Sequence, residues 1–239
     1  MTKDLPPSHA TSWNEDYAIS GLNACNDSEI RLAFYQTLGK KIAQPTIRLS
    51  EKFINAIITD VNTGKSAHTP EVDVAALDVI QSTIYTLEHP LSAGLAREVI
   101  GYEKNRTGTF TACAPNEKGA VTAARANVIY AHAARFMPHI NDKVVSFIVR
   151  HYINEKHEPK HLANALLLLH TILRIEPTFA NHLQLESINT VIATTKDPFL
   201  RDYRDSLFDH LNTRCPEVID RARIGYRLRK ATAALNAFG

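Results

Sequence analysis

Residues 161–173 read HLANALLLLHTIL, and this stretch decides what kind of fold the chain adopts. A surface helix carries its apolar residues on one face, but here apolar residues fall on nearly every side of the helix. Such a helix is stable in water only when neighbouring helices cover it on several sides. The stretch therefore predicts a central helix that packs between others.

Apolar residues elsewhere in the chain recur at the three- and four-residue steps that are typical of helices. The clearest series are Ile30, Phe34, Leu38 and Ile42; Leu49, Phe53, Ile57 and Val61; Leu77, Ile80, Ile84 and Leu87; and Leu200, Tyr203, Leu207 and Leu211. Thr69-Pro70 is a typical helix start, because Thr can cap and Pro suits the first turn. We therefore predict an all-α protein of about ten helices, packed as antiparallel pairs.

One long segment interrupts the helical pattern. Residues 104–119 read KNRTGTFTACAPNEKG, whose Gly, Asn, Thr and Pro residues favour turns, and a short hairpin arm is predicted around Phe110. Loops of this length within compact domains are more often functional than incidental. We take the segment as a loop or linker between an N-terminal helical part, 1–103, and a C-terminal repeat-like part, 120–239, and Phe110 as a candidate partner-binding residue.

A weak internal repeat is visible in the C-terminal part. The number of residues from Glu158-Pro159 to Asp197-Pro198 is the same as the number from Pro138 to Pro177. This distance matches the periods of about 40 residues that are typical of helical solenoids, in which each unit buries its apolar face only against the next. The spacing therefore favours a short right-handed solenoid.

The segment HLANALLLLHTILRIEPTFANHLQLESINTVIATTKDP resembles armadillo and HEAT-type repeats. The likeness lies in the order of an apolar helix, a short break, a second helix with the pattern N-x-L…I-x-x-V-I and a polar turn, and it covers roughly residues 120–213. Asn181 stands where these repeats commonly have an asparagine. The resemblance implies a curved scaffold that binds other proteins, and it implies no catalytic residues.

Two short motifs match enzyme signatures only in part. Residues 157–161 spell HEPKH, which fits the H-E-x-x-H pattern of zinc proteases, but Pro159 disrupts the helix on which two histidines would share a metal. Pro159 suits the first turn of a helix that begins there. Thr63-Gly64-Lys65-Ser66 matches the end of the sequence motif of a phosphate-binding loop, but Thr59 occupies the position where that motif has its first glycine. We expect no metal and no nucleotide at either place.

Cys25-Asn26-Asp27 is the one candidate for catalysis. The tripeptide and the amphipathic helix after it resemble the Cys-x-Asp motif of the all-helical ubiquitin ligases that bacterial pathogens inject. That resemblance implies that Cys25 accepts ubiquitin as a thioester and that Asp27 assists the transfer. The competing interpretation is structural: Asp27 or Ser28 caps a helix and Cys25 packs as a small apolar residue.

A basic face on the last helix is the main candidate for partner binding. Arg223, Arg227 and Lys230 share one face at helical spacing, beside a stripe formed by Ile224, Leu228 and Ala231. Such a face can engage an acidic protein or acidic lipids. A solvated face is the plain alternative, since cations near the end of a helix also suit its dipole.

Composition excludes several classes of protein. Net charge is only +2, so no overall field attracts nucleic acid. The three cysteines form no CxxC pair, the N-terminus lacks the apolar core of a signal peptide, and no apolar run is long enough to span a bilayer. We expect a cytoplasmic, non-enzymatic scaffold or adaptor without cofactors, with secretion by a signal-independent route left open. The alternative is a ubiquitin ligase that uses Cys25.

Overall fold

The computed structural model describes residues 14–43, 48–63, 68–104, 110–112, 119–153, 159–194 and 197–236. Within these residues the chain forms twelve α-helices, two turns of 3₁₀-helix and one two-stranded hairpin. The helices are α1 (Glu15–Ala24), α2 (Ser28–Ile42), α3 (Glu51–Thr63), α4 (Pro70–Thr86), α5 (Ala93–Ile100), α6 (Gly119–Ala131), α7 (Ala133–Phe136), α8 (Asp142–Tyr152), α9 (Pro159–Ile175), α10 (His182–Thr194), α11 (Pro198–Arg214) and α12 (Pro216–Asn236). The all-α prediction is confirmed.

The helix starts follow the capping signals in the sequence. The side chain of Thr69 accepts a hydrogen bond from the Val72 N–H at the start of α4, and Asp197 accepts one from the Phe199 N–H at the start of α11. Pro159 is the first residue of α9, as predicted. Within HEPKH, His157 and Glu158 lie outside the described residues. Phe53, Ile57 and Val61, whose spacing predicts a helix, lie in α3, whereas residues 64–66 of the TGKS motif lie outside the described residues.

The hairpin pairs β1 (Tyr102–Lys104) with β2 (Phe110–Ala112) in antiparallel register. The sequence predicts a helix from about residue 92 to 103, but α5 ends at Ile100 because Gly101 adopts φ 74° and turns the chain into β1. A Cβ at Gly101 would also lie 3.4 Å from the Arg125 side chain. The hairpin arm is where the sequence predicted one.

The helices contact one another in two series. In the first series α2 packs against α4, α4 against α6, α6 against α9 and α9 against α11. In the second series α1 contacts α3 and α3 contacts α5, while further along the chain α8 contacts α10 and α10 contacts α12. These contacts are consistent with the packing of a helical solenoid.

The C-terminal elements recur at an almost constant spacing. Helix α8 begins at Asp142 and α10 at His182, while α9 begins at Pro159 and α11 at Pro198. The separations along the chain within these two pairs of starts differ by only one position. A 3₁₀ turn precedes each pair, at Met137–His139 and at Pro177–Phe179. The repeat offset in the sequence therefore corresponds to real elements of structure.

The prediction for residues 161–173 is also confirmed, because α9 contacts α6, α8 and α11. Its fully buried side chains lie next to one another on one broad face of the helix: Leu168, Leu169, Ile172 and Leu173. In the described residues no helix is both long and apolar enough to cross a membrane.

The central position of α9 can be tested with a matched pair of truncations. Leu169→Ala is expected to reduce the free energy of unfolding by about 2–5 kcal/mol, since Leu169 is 0% exposed and its removal leaves a cavity. Leu228→Ala, the same change in α12 where the side chain is 64% exposed, is expected to cost less than about 0.5 kcal/mol. Urea unfolding followed by circular dichroism measures both values, and equal losses would contradict the packing described for α9.

Candidate functional site

The turn between α1 and α2 contains both residues of the predicted catalytic pair. Asp27 is the N-cap of α2, and its carboxylate accepts hydrogen bonds from the backbone N–H groups of Glu29 and Ile30 at 2.9 and 3.0 Å. Cys25 is half-buried, and its thiol donates to the Asp27 carbonyl at 3.5 Å. The prediction that Asp27 caps a helix is confirmed. A catalytic role for either residue stays a prediction.

A buried guanidinium group is hydrogen-bonded to the backbone of this turn. Arg31 is only 1% exposed, and its Nε and Nη2 donate to the Cys25 carbonyl at 2.9 and 2.7 Å. Nη2 also donates to the Leu22 carbonyl at 2.7 Å. These carbonyls belong to the C-terminal end of α1, where backbone acceptors lack helical partners and the helix dipole favours a cation. Arg31 therefore joins the end of α1 to α2.

Arg31 is one member of a buried ionic cluster, which comprises Arg31, Asp60, His68 and Asp73. The carboxylate of Asp60, from α3, pairs with Nη1 of Arg31 and with Nε2 of His68, the latter at 3.0 Å. The other ring nitrogen of His68, Nδ1, pairs with Asp73 in the first turns of α4. Arg31 and His68 thus share one carboxylate, and the cluster connects α2, α3 and the start of α4.

The charges within the cluster are compensated. Burial alone lowers the pKa of His68, but its hydrogen bonds to Asp60 and Asp73 outweigh burial and raise that pKa to about 9. His68 is therefore a cation at neutral pH, and two cations face two carboxylates. Burial, and then the charge of Asp60, raise the pKa of the Tyr35 hydroxyl, which donates to Asp60 at 3.4 Å. Both ring nitrogens of His68 are engaged, so the ring is held as a structural cation.

The second predicted site lies on α12, at the other end of the chain. Arg223, Arg227 and Lys230 are all exposed. Ile224 and Leu228, which the sequence places in an apolar stripe, are also exposed, at 56% and 64%. The structure therefore brings the predicted basic residues together around an apolar ridge, which we define as Ile224, Leu228 and Ala231. Phe110 lies on β2, but its side chain is outside the described part of the structure.

An ion pair fixes α12 against the preceding helices. Arg229 donates from Nε to Glu186 of α10 at 2.8 Å, and its Nη2 pairs with the same carboxylate. Val218 is fully buried near the start of α12, and Ile219 is nearly so. The inward face of α12 is thus held by α10 and α11, while the ridge points away from them.

A groove runs between α10, α11 and α12, with a volume of about 350 Å³. Its apolar lining comes from all three helices: Leu185, Phe208, Ile219, Ala222 and Tyr226. The polar residues at the groove are Asn189, Asn212, Asp209 and Glu186, the last of which pairs with Arg229, and Arg223 lines it as well. Arg223 therefore belongs both to the basic face and to the groove.

The ionic cluster and the groove are not predicted by the sequence. The charged residues of the cluster are far apart along the chain, from Arg31 to Asp73, and none forms a recognisable motif. Arg31 lies in the buried stripe of α2 with Tyr35 and Leu38, a position where an arginine is rarely found without a partner. That unusual placement is the only signal that the sequence contains.

No family model matches this chain, and neither does any curated protein or solved structure. The packing of the helices against their neighbours is compatible with a helical repeat.

The raised pKa of His68 predicts a pH dependence of stability. A cation whose pKa is higher in the folded state than the ordinary 6.5 stabilises the fold fully below pH 6.5, and this contribution is lost as the pH rises through about 9. We expect the free energy of unfolding to fall by at most about 3 kcal/mol across this window. In His68→Gln the fall should be much smaller, and urea unfolding from pH 6 to 10 measures it. An equal fall in both proteins would assign the effect to other groups.

The reactivity of Cys25 separates the two interpretations of its motif. We expect iodoacetamide to alkylate native Cys25 more slowly than a free cysteine, because the side chain is half-buried and its thiol is hydrogen-bonded to the Asp27 carbonyl. Mass spectrometry of tryptic peptides gives the rate, with the urea-unfolded protein as reference. Alkylation faster than that of the unfolded chain would instead favour a nucleophilic Cys25 and the ligase alternative.

Proposed function

We propose that this chain is a non-enzymatic scaffold of the armadillo or HEAT type that binds a partner protein at its C-terminal end. The observation that carries the proposal is the outward face of α12, where Ile224 and Leu228 are exposed among basic residues. Adjacent exposed apolar side chains with a polar rim are typical of surfaces that bind other proteins. A single exposed apolar residue is common on protein surfaces and would not indicate a binding site.

The arrangement of the helices supports a scaffold. Alternate helices pack in a continuous series from α2 to α11, and the C-terminal helix pairs recur at a nearly constant spacing along the chain. In a repeat array each unit contacts only its neighbours, so the chain presents extended surfaces and an end face for binding. The chemistry at the α1–α2 turn is accounted for by helix capping and by the Arg31 hydrogen bonds, which leaves the surface as the better candidate.

The charge on α12 supports an acidic partner. Arg223, Arg227 and Lys230 flank the ridge, and Asp220 lies 3.6 Å from Arg223 near the start of the helix. Beyond Asp220 the remaining charged residues of α12 are all basic. Complementary charges around an apolar contact accelerate association and disfavour wrong partners. The predicted loop 104–119, with Phe110, is proposed as a second contact surface.

Charge reversal tests this function. The tagged wild type and the variant Arg223→Glu/Arg227→Glu are used to capture proteins from a lysate of the source cells, with quantitative mass spectrometry as the readout. A true partner is expected to be recovered about tenfold less by the variant, since rim charges that attracted it now repel it. Thermal unfolding should be unchanged because both side chains are exposed.

Two further proteins serve as controls. Lys40→Glu/Lys41→Glu makes the same change in charge at exposed positions near the end of α2, and it should recover the partner like the wild type. Cys25→Ala should also recover it, whereas a thiol-sensitive adduct that only this variant loses would favour the ligase alternative. If all the variants recover each captured protein as well as the wild type does, α12 is not the binding surface.

A further inference from the structure

The groove between α10, α11 and α12 lies on the side of α12 that faces the other two helices, whereas the ridge points away from them. Tyr226 and Ala222 line it from α12, Leu185 from α10 and Phe208 from α11. Tyr226 is 55% exposed, so one wall of the groove is an aromatic side chain that still reaches solvent. Arg223 also lines the groove, and it lies about one turn before Tyr226 on the same helix.

The size of the groove limits what can occupy it. A volume of about 350 Å³ lies at the low end of the range for small-molecule pockets, roughly 300–1,000 Å³. Interface pockets of this kind hold one large anchor side chain, and such anchors contribute most of the binding energy of an interface. The apolar lining suits an aromatic ring or a leucine, and the amides of Asn189 and Asn212 can bond the backbone or polar tip beside it.

We infer that the groove receives an apolar anchor side chain from an acidic amphipathic segment of the partner, with a carboxylate of that segment paired to Arg223. This inference rests on the proposed function and specifies its partner. The segment lies in the groove along α12. Its acidic residues then meet Arg227 and Lys230, which share the exposed face of Arg223.

Charge decides between this occupant and the others. A second copy of the chain would bring another set of Arg223, Arg227 and Lys230 toward the first, and like charges across an interface cost free energy. An acidic membrane would satisfy those cations but would leave the groove between the three helices unfilled. An acidic peptide places its carboxylates opposite individual cations, and its apolar anchor fills the groove.

The inference is tested by selecting random linear peptides for binding to the immobilised full-length chain. The enriched peptides are expected to share an aromatic residue or leucine with Asp or Glu about one turn away. Fluorescence anisotropy with labelled selected peptides should show binding at least about tenfold weaker for Tyr226→Ala and for Ala222→Trp, which remove a wall of the groove and fill it. Tyr17→Ala, at an exposed tyrosine of α1, is the matched control and should bind like the wild type.

The outcomes separate the groove from the basic face. If selected peptides bind Tyr226→Ala and Ala222→Trp as tightly as the wild type, the inference is wrong, while a loss with Arg223→Glu/Arg227→Glu alone would leave the proposed function standing. A selection that enriches no peptide also overturns it. In that case vesicles containing phosphatidylserine and sedimentation of the protein itself identify a membrane or a second copy as the occupant.

Discussion

The fold depends on one constraint, which is that its helices bury their apolar faces only against one another. Helix α9 buries one broad face rich in leucine, and it packs against α6, α8 and α11. Helices α4, α6 and α9 each pack against two other helices of the first series, whereas the outward face of α12 stays exposed. The chemistry of the two ends therefore differs from that of the middle.

At the N-terminal end the chain uses buried charge. Removing four ionised groups from water is costly, and that cost is offset only where the groups pair closely and their hydrogen bonds are satisfied. Arg31 meets Asp60 and two backbone carbonyls, and His68 is held between Asp60 and Asp73. Unlike apolar packing, these ion pairs and hydrogen bonds require a specific direction between the paired atoms. They determine how the α1–α2 turn lies on α3 and α4.

Periodicity predicts the helices well because apolar burial dominates in the middle of the chain. It fails where another interaction determines which residue is buried. In α2 the spacing favours Ile30 as a buried residue, yet Ile30 is 62% exposed and Arg31 is buried instead, because its partner Asp60 comes from α3. The end of α5 depends on the positive φ of Gly101. The groove at Tyr226 is formed by side chains from three helices, and no local sequence pattern predicts that these helices come together.

The exposed ridge of α12 shows why the same apolar pattern has different meanings along the chain. By spacing alone Ile224, Leu228 and Ala231 resemble the stripes of the buried helices, and in the interior of the fold another helix would cover them. The basic residues beside the ridge distinguish it, since Arg223, Arg227 and Lys230 would be desolvated by an uncharged helix packed there. An apolar stripe bordered by cations is instead complementary to a surface that is apolar at its centre and acidic at its edges. The pairing of Arg229 with Glu186 leaves the ridge on the outward side, where such a surface can approach it.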